Sequence, residues 1–154
     1  MAQIDQTISE FIADRALPSV APGDPVAHAL EVMRARACDA LVVMDLDRLV
    51  GIFTERDFLN RVAAPKLDVG TTKVEQVMTT EPETLSPSDS ITYAINRMAI
   101  HGFRNIPIAR PDGPIDAVLT VRDVVAHLSV LFDELRKPSR EDDWREWTDI
   151  GGGA

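Results

Sequence analysis

The chain has 154 residues, of which 45% are apolar, and its 25 acidic and 16 basic side chains give a formal net charge of −9. This composition is typical of a soluble globular protein and disfavours a nucleic-acid partner, because the basic residues are scattered among acids. No apolar run approaches the roughly 20 residues that a membrane span needs, so we expect no membrane partner.

The N-terminal segment, MAQIDQTISEF, lacks the basic, apolar and small-residue order of a signal peptide. Cys38 is the single cysteine, so no internal disulfide is possible and a reducing cytoplasm is the expected location. We predict that residues 1–17 form a helical lead-in to the first structural unit.

The central part of the chain contains an internal repeat, and such repeats decide the fold. Residues 20–45 align with residues 85–110, and one inserted residue then shifts the alignment by one position. Most other aligned positions pair one apolar residue with another. We therefore predict two repeats, at 18–63 and 82–136. The identical pairs include Pro22/Pro87, Asp24/Asp89, Ala29/Ala94, Met33/Met98, Thr54/Thr120, Arg56/Arg122 and Asp57/Asp123.

Each repeat is predicted to run strand, helix, strand, strand, helix. Asp24 and Asp89 are placed to cap the first helix of each repeat, with Pro25 suited to the first helical position. Gly102 lies where the helix of repeat two would end in a left-handed turn. The last helices begin at TERD (54–57) and TVRD (120–123). The predicted strands, from apolar runs bounded by turn residues, are 18–20, 40–45 and 50–54, then 84–85, 105–109 and 116–120.

The last helix of repeat two carries an apolar stripe with helical spacing. The stripe either packs against the N-terminal segment of the same chain or forms the seam of a dimer. Its residues are Val124, Leu128, Leu131 and Leu135, and the N-terminal candidates are Ile8, Phe11 and Ile12.

Two segments lie outside the repeats. Residues 64–81 are predicted to be a linker and a lead-in to repeat two. Residues 137–154 form an acidic tail that contains Trp144 and Trp147. Two interpretations of this tail stay open: an intermolecular hook, onto a dimer mate or an unidentified protein target, or a mostly disordered segment.

A half of about 60 residues buries too small a fraction of its surface to be stable alone. We therefore predict an α/β (α+β) fold in which two pseudo-twofold-related repeats pack sheet to sheet. Any cleft between the repeats would then occur twice.

Four segments in this order resemble tandem CBS domains, a pair also called a Bateman module: GIFTERD, AVLTVRD, VEQVMTTEPETLSP and FRNIPIARPDG. The resemblance covers residues 4–136. It implies an adenosine nucleotide as regulatory ligand in two clefts between the repeats, and a homodimer that pairs two modules through helical faces.

The resemblance also implies roles for individual residues. Asp57 and Asp123 would contact the ribose hydroxyls, with Thr54 and Thr120 near the ribose and phosphate. The backbone of the apolar strands would frame the adenine, at Val42 in repeat one and at Ile106 and Pro107 in repeat two.

The TERD and TVRD segments have a second interpretation as capping boxes. In a capping box the Thr accepts from an early helix amide, and the acid three residues later accepts from the amide of the Thr. Binding is favoured because Thr, Arg and Asp recur together in two otherwise diverged repeats, and because a carboxylate suits a ribose diol. The two roles are compatible.

Several positions predict that the two clefts differ. The resemblance implies that Arg104 faces the phosphate, whereas its counterpart Asp39 would repel it. The alternative is that Arg104 is a surface residue paired with an acid. Arg56 and Arg122 either neutralise phosphate or pair with the neighbouring Asp. Two further pairs differ between the repeats, Asn105/Ala40 and Ala117/Gly51, and the methyl group of Ala117 would crowd a ligand.

No catalytic motif or metal-ligand spacing stands out. His28, His101 and His127 are isolated, and Cys38 is interpreted as a small apolar filler. We therefore predict a non-enzymatic, stand-alone sensor of an adenine nucleotide, without catalytic cofactor or metal. The alternative is a ligand-independent dimeric scaffold with vestigial clefts, and an enzyme is the weakest candidate.

Overall fold

The computed structural model describes residues 6–12, 16–111 and 113–136. The predicted tail with its two tryptophans lies outside the described residues. No helix in the described part of the chain is long and apolar enough to cross a membrane.

Both repeats follow the predicted order of elements. A short 3₁₀ turn precedes repeat one, and the last helix of that repeat continues as a π-helical turn at Leu59–Ala63. The first extended segment of repeat two is reduced to a single bridge, from Leu85 to Ile108. The elements are β1 (Ser19–Val20), α1 (Val26–Arg36), β2 (Ala40–Asp45), β3 (Arg48–Thr54), α2 (Glu55–Phe58), α3 (Val74–Val77), β4 (Thr79–Thr80), α4 (Ile91–His101), β5 (Asn105–Ala109), β6 (Ile115–Thr120) and α5 (Val121–Arg136).

Each repeat builds its own sheet. In repeat one the strand order is β1-β2-β3-β4, with β1 parallel to β2 and the other pairs antiparallel. In repeat two β5 and β6 form an antiparallel pair, and Leu85 extends it in parallel, as β1 does in repeat one. The mixed α and β fold with two repeats is therefore as predicted.

Each lead-in segment packs on the repeat other than the one that directly follows it in the chain. The N-terminal segment bonds to repeat two, where the Ile8 amide donates to the Asp89 carbonyl at 2.8 Å. The segment before repeat two bonds to repeat one, where the Val74 amide donates to the Asp24 carbonyl at 2.9 Å. Its strand β4 pairs with β3 as a fourth strand. The sequence indicates only a linker and a lead-in to repeat two at residues 64–81, so it does not predict this crossing.

The crossing completes the two hydrophobic cores. Ile8 is fully buried among residues of repeat two, and Val74 is fully buried among those of repeat one. Val124 of α5 is buried with Ile8, and Phe11 and Ile12 pack against the same cluster. The stripe on α5 therefore packs within the chain at its first position.

The predicted caps of α1 and α4 were wrong. Asp24 and Asp89 lie one residue too early, and each carboxylate accepts from the amide three residues before it, Ala21 at 2.9 Å and Ser86 at 2.7 Å. These bonds close tight turns, so the carboxylates are not available to the helix. Pro25 is the N-cap of α1 instead of its first helical residue.

The C-terminal ends of α4 and α1 both adopt a left-handed turn, which was predicted for α4. Gly102 ends α4 in the left-handed region, with φ of 70°. Ala37 takes the same place after α1, with φ of 50°. A left-handed alanine is sterically less favourable than a glycine, so the turn after α1 is more strained.

Gly51 is required by the crossing lead-in. A Cβ at this position would lie 2.5 Å from the Met78 sulfur and 2.9 Å from the Thr79 carbonyl oxygen. The backbone of β4 therefore approaches β3 as closely as only glycine permits. Packing against β4 thus explains why repeat one has glycine at position 51, where repeat two has Ala117.

We predict that Gly51→Ala lowers the free energy of unfolding by about 1–3 kcal/mol, the usual cost of overpacking. The methyl group must push β4 away from β3, since the nearest backbone oxygen cannot rotate aside. Urea unfolding of the purified variant measures the change. The matched control is Gly23→Ala, because a Cβ there meets nothing within 4 Å. Equal midpoints for both variants would contradict the packing role of Gly51.

Candidate ligand-binding clefts

Two clefts open between the repeats. Cleft one has a volume of about 560 Å³ and contains the TERD segment, and cleft two has a volume of about 660 Å³ and contains most of the TVRD segment. Both volumes lie within the range of about 300–1,000 Å³ that small-molecule sites occupy. Cleft one is lined by Asp39, Ile52, Thr54, Glu55, Arg56, Asp57, Leu59, Thr79, Glu81, Pro82, Glu83, His101, Phe103, Arg104 and Asn105. Cleft two is lined by Ala16, Leu17, Pro18, Arg36, Ala37, Cys38, Asp39, Ala40, Arg104, Asn105, Ala117, Val118, Thr120, Val121, Arg122 and Val125.

The two clefts are copies of one site. Most lining residues of cleft one have their repeat equivalent in cleft two, so the duplication in the sequence becomes a duplication of cavities. Equivalent pairs, cleft one first, include Ile52/Val118, Thr54/Thr120, Glu55/Val121, Arg56/Arg122, Leu59/Val125, His101/Arg36 and Phe103/Cys38.

A capping box begins the TERD helix in cleft one. The Thr54 hydroxyl accepts from the Asp57 amide at 3.2 Å. The Asp57 Oδ2 accepts from both the amide and the hydroxyl of Thr54, each at 2.9 Å. These bonds satisfy amides that a helix start leaves without partners. The capping interpretation therefore holds at TERD, and it leaves the binding role as a prediction.

The TVRD helix begins in the same way beside cleft two. The Thr120 hydroxyl accepts from the Asp123 amide at 3.1 Å. The Asp123 Oδ2 accepts from the Thr120 amide at 2.9 Å and from its hydroxyl at 2.8 Å. Thr120 and Arg122 line the cleft, whereas Asp123 lies directly behind them at the helix start.

The second oxygen of Asp57 connects the helix to the crossing lead-in. Oδ1 accepts from the Thr79 hydroxyl of β4 at 3.0 Å and lies 3.5 Å from Arg61. Arg61 also donates to the Val77 carbonyl at 3.2 Å. A carboxylate has about four acceptor positions, and four donors already surround Asp57, which is 7% exposed. A ribose hydroxyl would therefore replace Thr79 or Arg61 as donor.

The arginines of the clefts differ in what they contact. Arg56 donates to the Gly102 carbonyl at 3.2 Å and so joins repeat one to the end of α4. Arg122 lines cleft two at the equivalent place. Arg104 and Asp39 line both clefts. The predicted inequality of the clefts therefore cannot come from the Arg104/Asp39 difference alone, because each cleft contains both side chains.

The three predicted strand residues lie in the interior. Val42 and Ile106 are fully buried, and Pro107 is buried beside them. None of the three belongs to the lining of either cleft. Ile52 and Val118, two positions before the signature threonines, supply the apolar strand surface instead. The sequence pattern could have identified them, because both occupy the second position of the equivalent segments GIFT (51–54) and AVLT (117–120).

Asn105 presents an unsatisfied acceptor between the clefts. It lines both of them, and its buried Oδ1 has no hydrogen-bond partner within the described part of the chain. A buried acceptor without a partner costs free energy, so it is suited to a ligand donor.

Glu83 is fixed at the wall of cleft one by Arg97 of α4. The guanidinium donates to both carboxylate oxygens, through Nε and through a second bond of 2.7 Å. This bidentate bond lowers the pKa of Glu83, against a smaller opposing effect of burial. In cleft two, burial raises the pKa of the Cys38 thiol.

A family model described as "CBS domain" matches the chain twice, over residues 8–64 and 74–130. An uncharacterised 17.7 kDa protein of Acidianus ambivalens is 31% identical over 132 residues, which cover 84% of this chain and 79% of that protein. A CBS domain-containing protein of Arabidopsis thaliana is 34% identical, but the match covers 76% of this chain and 21% of that protein. The chain therefore spans about a fifth of the length of the plant relative.

Solved structures share the fold. A putative signal-transduction protein with CBS domains from Burkholderia ambifaria is 28% identical with a TM-score of 0.73, covering 79% of this chain and 90% of that one. A CBS domain protein of Pyrobaculum aerophilum, solved with AMP, has a TM-score of 0.74 at 21% identity, covering 83% and 97%. A CBS domain pair solved with 5′-methylthioadenosine and S-adenosyl-L-methionine has a TM-score of 0.73 at 15% identity, covering 81% and 97%.

We predict that Arg97→Gln destabilises the protein near neutral pH and that the loss shrinks in acid. The folded pKa of Glu83 is lowered below its ordinary value of 4.5, so its contribution to stability is complete above that value. The contribution disappears as the pH falls through the lowered folded pKa and the carboxylate takes up a proton.

Urea unfolding at about pH 7 and about pH 3 measures this difference. The control is Arg110→Gln, because the Arg110–Asp116 pair is formed by a guanidinium that is 68% exposed, and exposed pairs contribute little. A loss for Arg97→Gln that is the same at both pH values would contradict the role of the Glu83 charge.

Proposed function

Because this chain belongs to the CBS domain family, we propose that it is a regulatory protein that binds an adenosine-containing nucleotide in the two clefts between its repeats. The observation that supports this most directly is the duplicated cleft, in which a threonine and an arginine recur at matching positions. Both clefts also have the volume of small-molecule sites.

The structural neighbours support the choice of ligand class. One of them was solved with AMP, and another with 5′-methylthioadenosine and S-adenosyl-L-methionine. These three molecules share the adenosine group and differ in what is attached to its 5′ position. We therefore propose adenosine as the part that this chain recognises in both clefts.

The proposed contacts use side chains with matching chemistry. The carboxylates of Asp57 and Asp123 accept from ribose hydroxyls, and the threonines before them lie close by. Asn105 Oδ1 accepts from the amino group of adenine, which removes its unsatisfied state. The guanidinium groups of Arg56 and Arg122 donate to phosphate oxygens where the ligand has them.

A ligand would change the contact between the repeats. Arg56 holds the Gly102 carbonyl across the cleft, and a ligand acceptor atom that takes this guanidinium releases the carbonyl. The angle between the repeats then shifts if the two arrangements bind the ligand with different affinity. In this proposal the output is a conformational signal to a separate protein, without catalysis, in the cytoplasm.

A second candidate function is the ligand-independent scaffold. The four donors around Asp57 favour it, because they satisfy the carboxylate without any ligand. The presence of Thr54 and Thr120 in open clefts of ligand size favours the sensor.

We predict that AMP, ADP, ATP or S-adenosyl-L-methionine binds saturably in calorimetric titration. We expect Asp57→Ala to weaken the site in cleft one and Asp123→Ala the site in cleft two, each at least about tenfold, or about 1.4 kcal/mol. Each variant also loses a helix cap, at a cost of about 1 kcal/mol in stability. The matched control is Ser90→Ala, since Ser90 accepts from the Tyr93 amide as the cap of α4 and lies in neither cleft.

The control separates the two functions. In the sensor, Ser90→Ala loses similar stability but keeps full binding, and nucleotide raises the unfolding temperature of the wild type. In the scaffold, no nucleotide binds and all three variants differ from the wild type in stability only.

We further propose a homodimer, supported by exposed apolar side chains on α5. Leu128, Phe132 and Leu135 are 36%, 61% and 69% exposed and lie on one face of the helix.

We predict that Phe132→Glu converts the dimer to a monomer, because a carboxylate would be buried at the seam. Sedimentation velocity measures the change. The control is Leu46→Glu, at a turn residue that is 91% exposed, and a monomeric wild type would contradict the proposal.

A further inference from the structure

We propose that the two clefts divide adenosine compounds by the charge of the 5′ group. Cleft two takes a phosphorylated adenosine, and cleft one takes an adenosine whose 5′ group is neutral or positively charged. This inference rests on the proposed function, which names adenosine as the common part, and it adds what distinguishes the two sites.

The formal charges of the clefts have opposite sign. Cleft one is lined by five carboxylates and two guanidinium groups, a formal charge of −3 with histidine neutral. Cleft two is lined by three guanidinium groups and one carboxylate, a formal charge of +2. Counting Asp123, which lies behind Thr120, leaves cleft two at +1. The charged side chains are Asp39, Glu55, Asp57, Glu81, Glu83, Arg56 and Arg104 in cleft one, and Arg36, Arg104, Arg122 and Asp39 in cleft two.

The difference arises at four equivalent positions. Arg104 and Asp39 belong to both clefts and cancel in the comparison. Three carboxylates of cleft one become apolar residues in cleft two, and one histidine becomes arginine. The pairs, cleft one first, are Glu55/Val121, Glu81/Ala16, Glu83/Pro18 and His101/Arg36.

Most of these charges are available to a ligand. Glu55 and Glu81 are exposed, and their side chains form no hydrogen bond or ion pair within the described part of the chain. In cleft two, Arg36 and Arg122 are also exposed, and their side chains form no hydrogen bond or ion pair with the described residues. Glu83 is paired with Arg97 and Asp57 with Arg61, so these two charges are partly neutralised. Without them, cleft one still has an excess of negative charge.

Charge of this kind selects ligands. Unit charges within a few ångströms of each other interact far more strongly near a protein surface than in bulk water. Each charge exchanged at a cleft is expected to alter the affinity for a charged ligand on the order of tenfold at low salt. A phosphate entering cleft one would meet Glu55 and Glu81, whereas in cleft two it would meet Arg36.

The test uses three probes with the same adenosine group: AMP as the anion, 5′-methylthioadenosine as the neutral compound and S-adenosylmethionine as the cation. Calorimetry at low salt gives the affinity and the number of sites for each. Alkylation of Cys38 reports on cleft two and not on cleft one, because this residue is the single cysteine and lines only the former of these two clefts. The reaction is run at alkaline pH, since burial raises the pKa of the thiol.

The expected result is a division of the probes between the clefts. AMP binds one site and slows the alkylation of Cys38. The cationic probe binds without slowing it, and the neutral probe slows it less than AMP does.

Exchanging residues between the repeats tests the cause. Glu55→Val with His101→Arg gives cleft one the residues that cleft two has at these two positions. We expect the affinity of cleft one for AMP to rise at least about tenfold over the wild type, so that a second AMP site is detected. Val121→Glu with Arg36→His should weaken AMP in cleft two by a similar factor. The control is Asp133→Asn with Glu134→Gln on α5, which changes the net charge as the first pair does but lies outside both clefts.

The possible failures are distinguishable. The division by charge would be overturned if AMP bound two sites with equal affinity. It would also be overturned if AMP left Cys38 unprotected and its affinity responded to the control substitutions as strongly as to the exchange. Either result would leave the proposed function standing. If none of the three probes binds, the proposed function fails, and this inference fails with it.

Discussion

The hydrogen bonds between a threonine and the aspartate three residues later determine the geometry of both repeats. They turn the chain from the end of a strand into a helix, at Thr54 and again at Thr120. At Asp57 the same carboxylate also holds Thr79 of the crossing lead-in. One buried carboxylate therefore contributes to the wall of cleft one, to the start of α2 and to the attachment of the fourth strand. A ligand that competes for this carboxylate acts on all three at once.

A repeated backbone does not impose repeated chemistry. The two clefts have equivalent frames because the capping boxes, strand pairs and helix ends are equivalent. The side chains that line the clefts have diverged, most clearly at Glu55 and Val121, where one helix begins with a carboxylate and the other with an apolar residue. Structural positions are constrained by packing, whereas lining positions are free to change with the ligand. This is the general relation between a fold and the sites built on it.

The sequence predicted the local features well. Apolar periodicity and turn residues located the strands and helices, and Gly102 was correctly placed at the end of α4, because these signals lie within a few neighbouring residues. The crossing of the lead-ins depends on contacts between distant residues, such as Ile8 with repeat two, and no periodicity encodes them. Asp24 was misassigned as a cap because its tight turn and a helix start favour the same residue type. Of the predicted site residues, the threonines and arginines line the clefts, and their binding role stays a prediction. The acidic wall at Glu81 and Glu83 was not predicted, because only the crossing brings it to the cleft.

The crossed lead-ins bear on how such a chain arises. In this chain each lead-in packs on the core of the other repeat. Consider a unit of one lead-in and one repeat that keeps this arrangement. Such a unit would complete its core only by strand exchange with a second copy, as in a domain-swapped dimer. Gene duplication and fusion of that unit would preserve the exchange inside one polypeptide. The fused halves could then diverge independently, which a symmetric dimer of identical subunits cannot do.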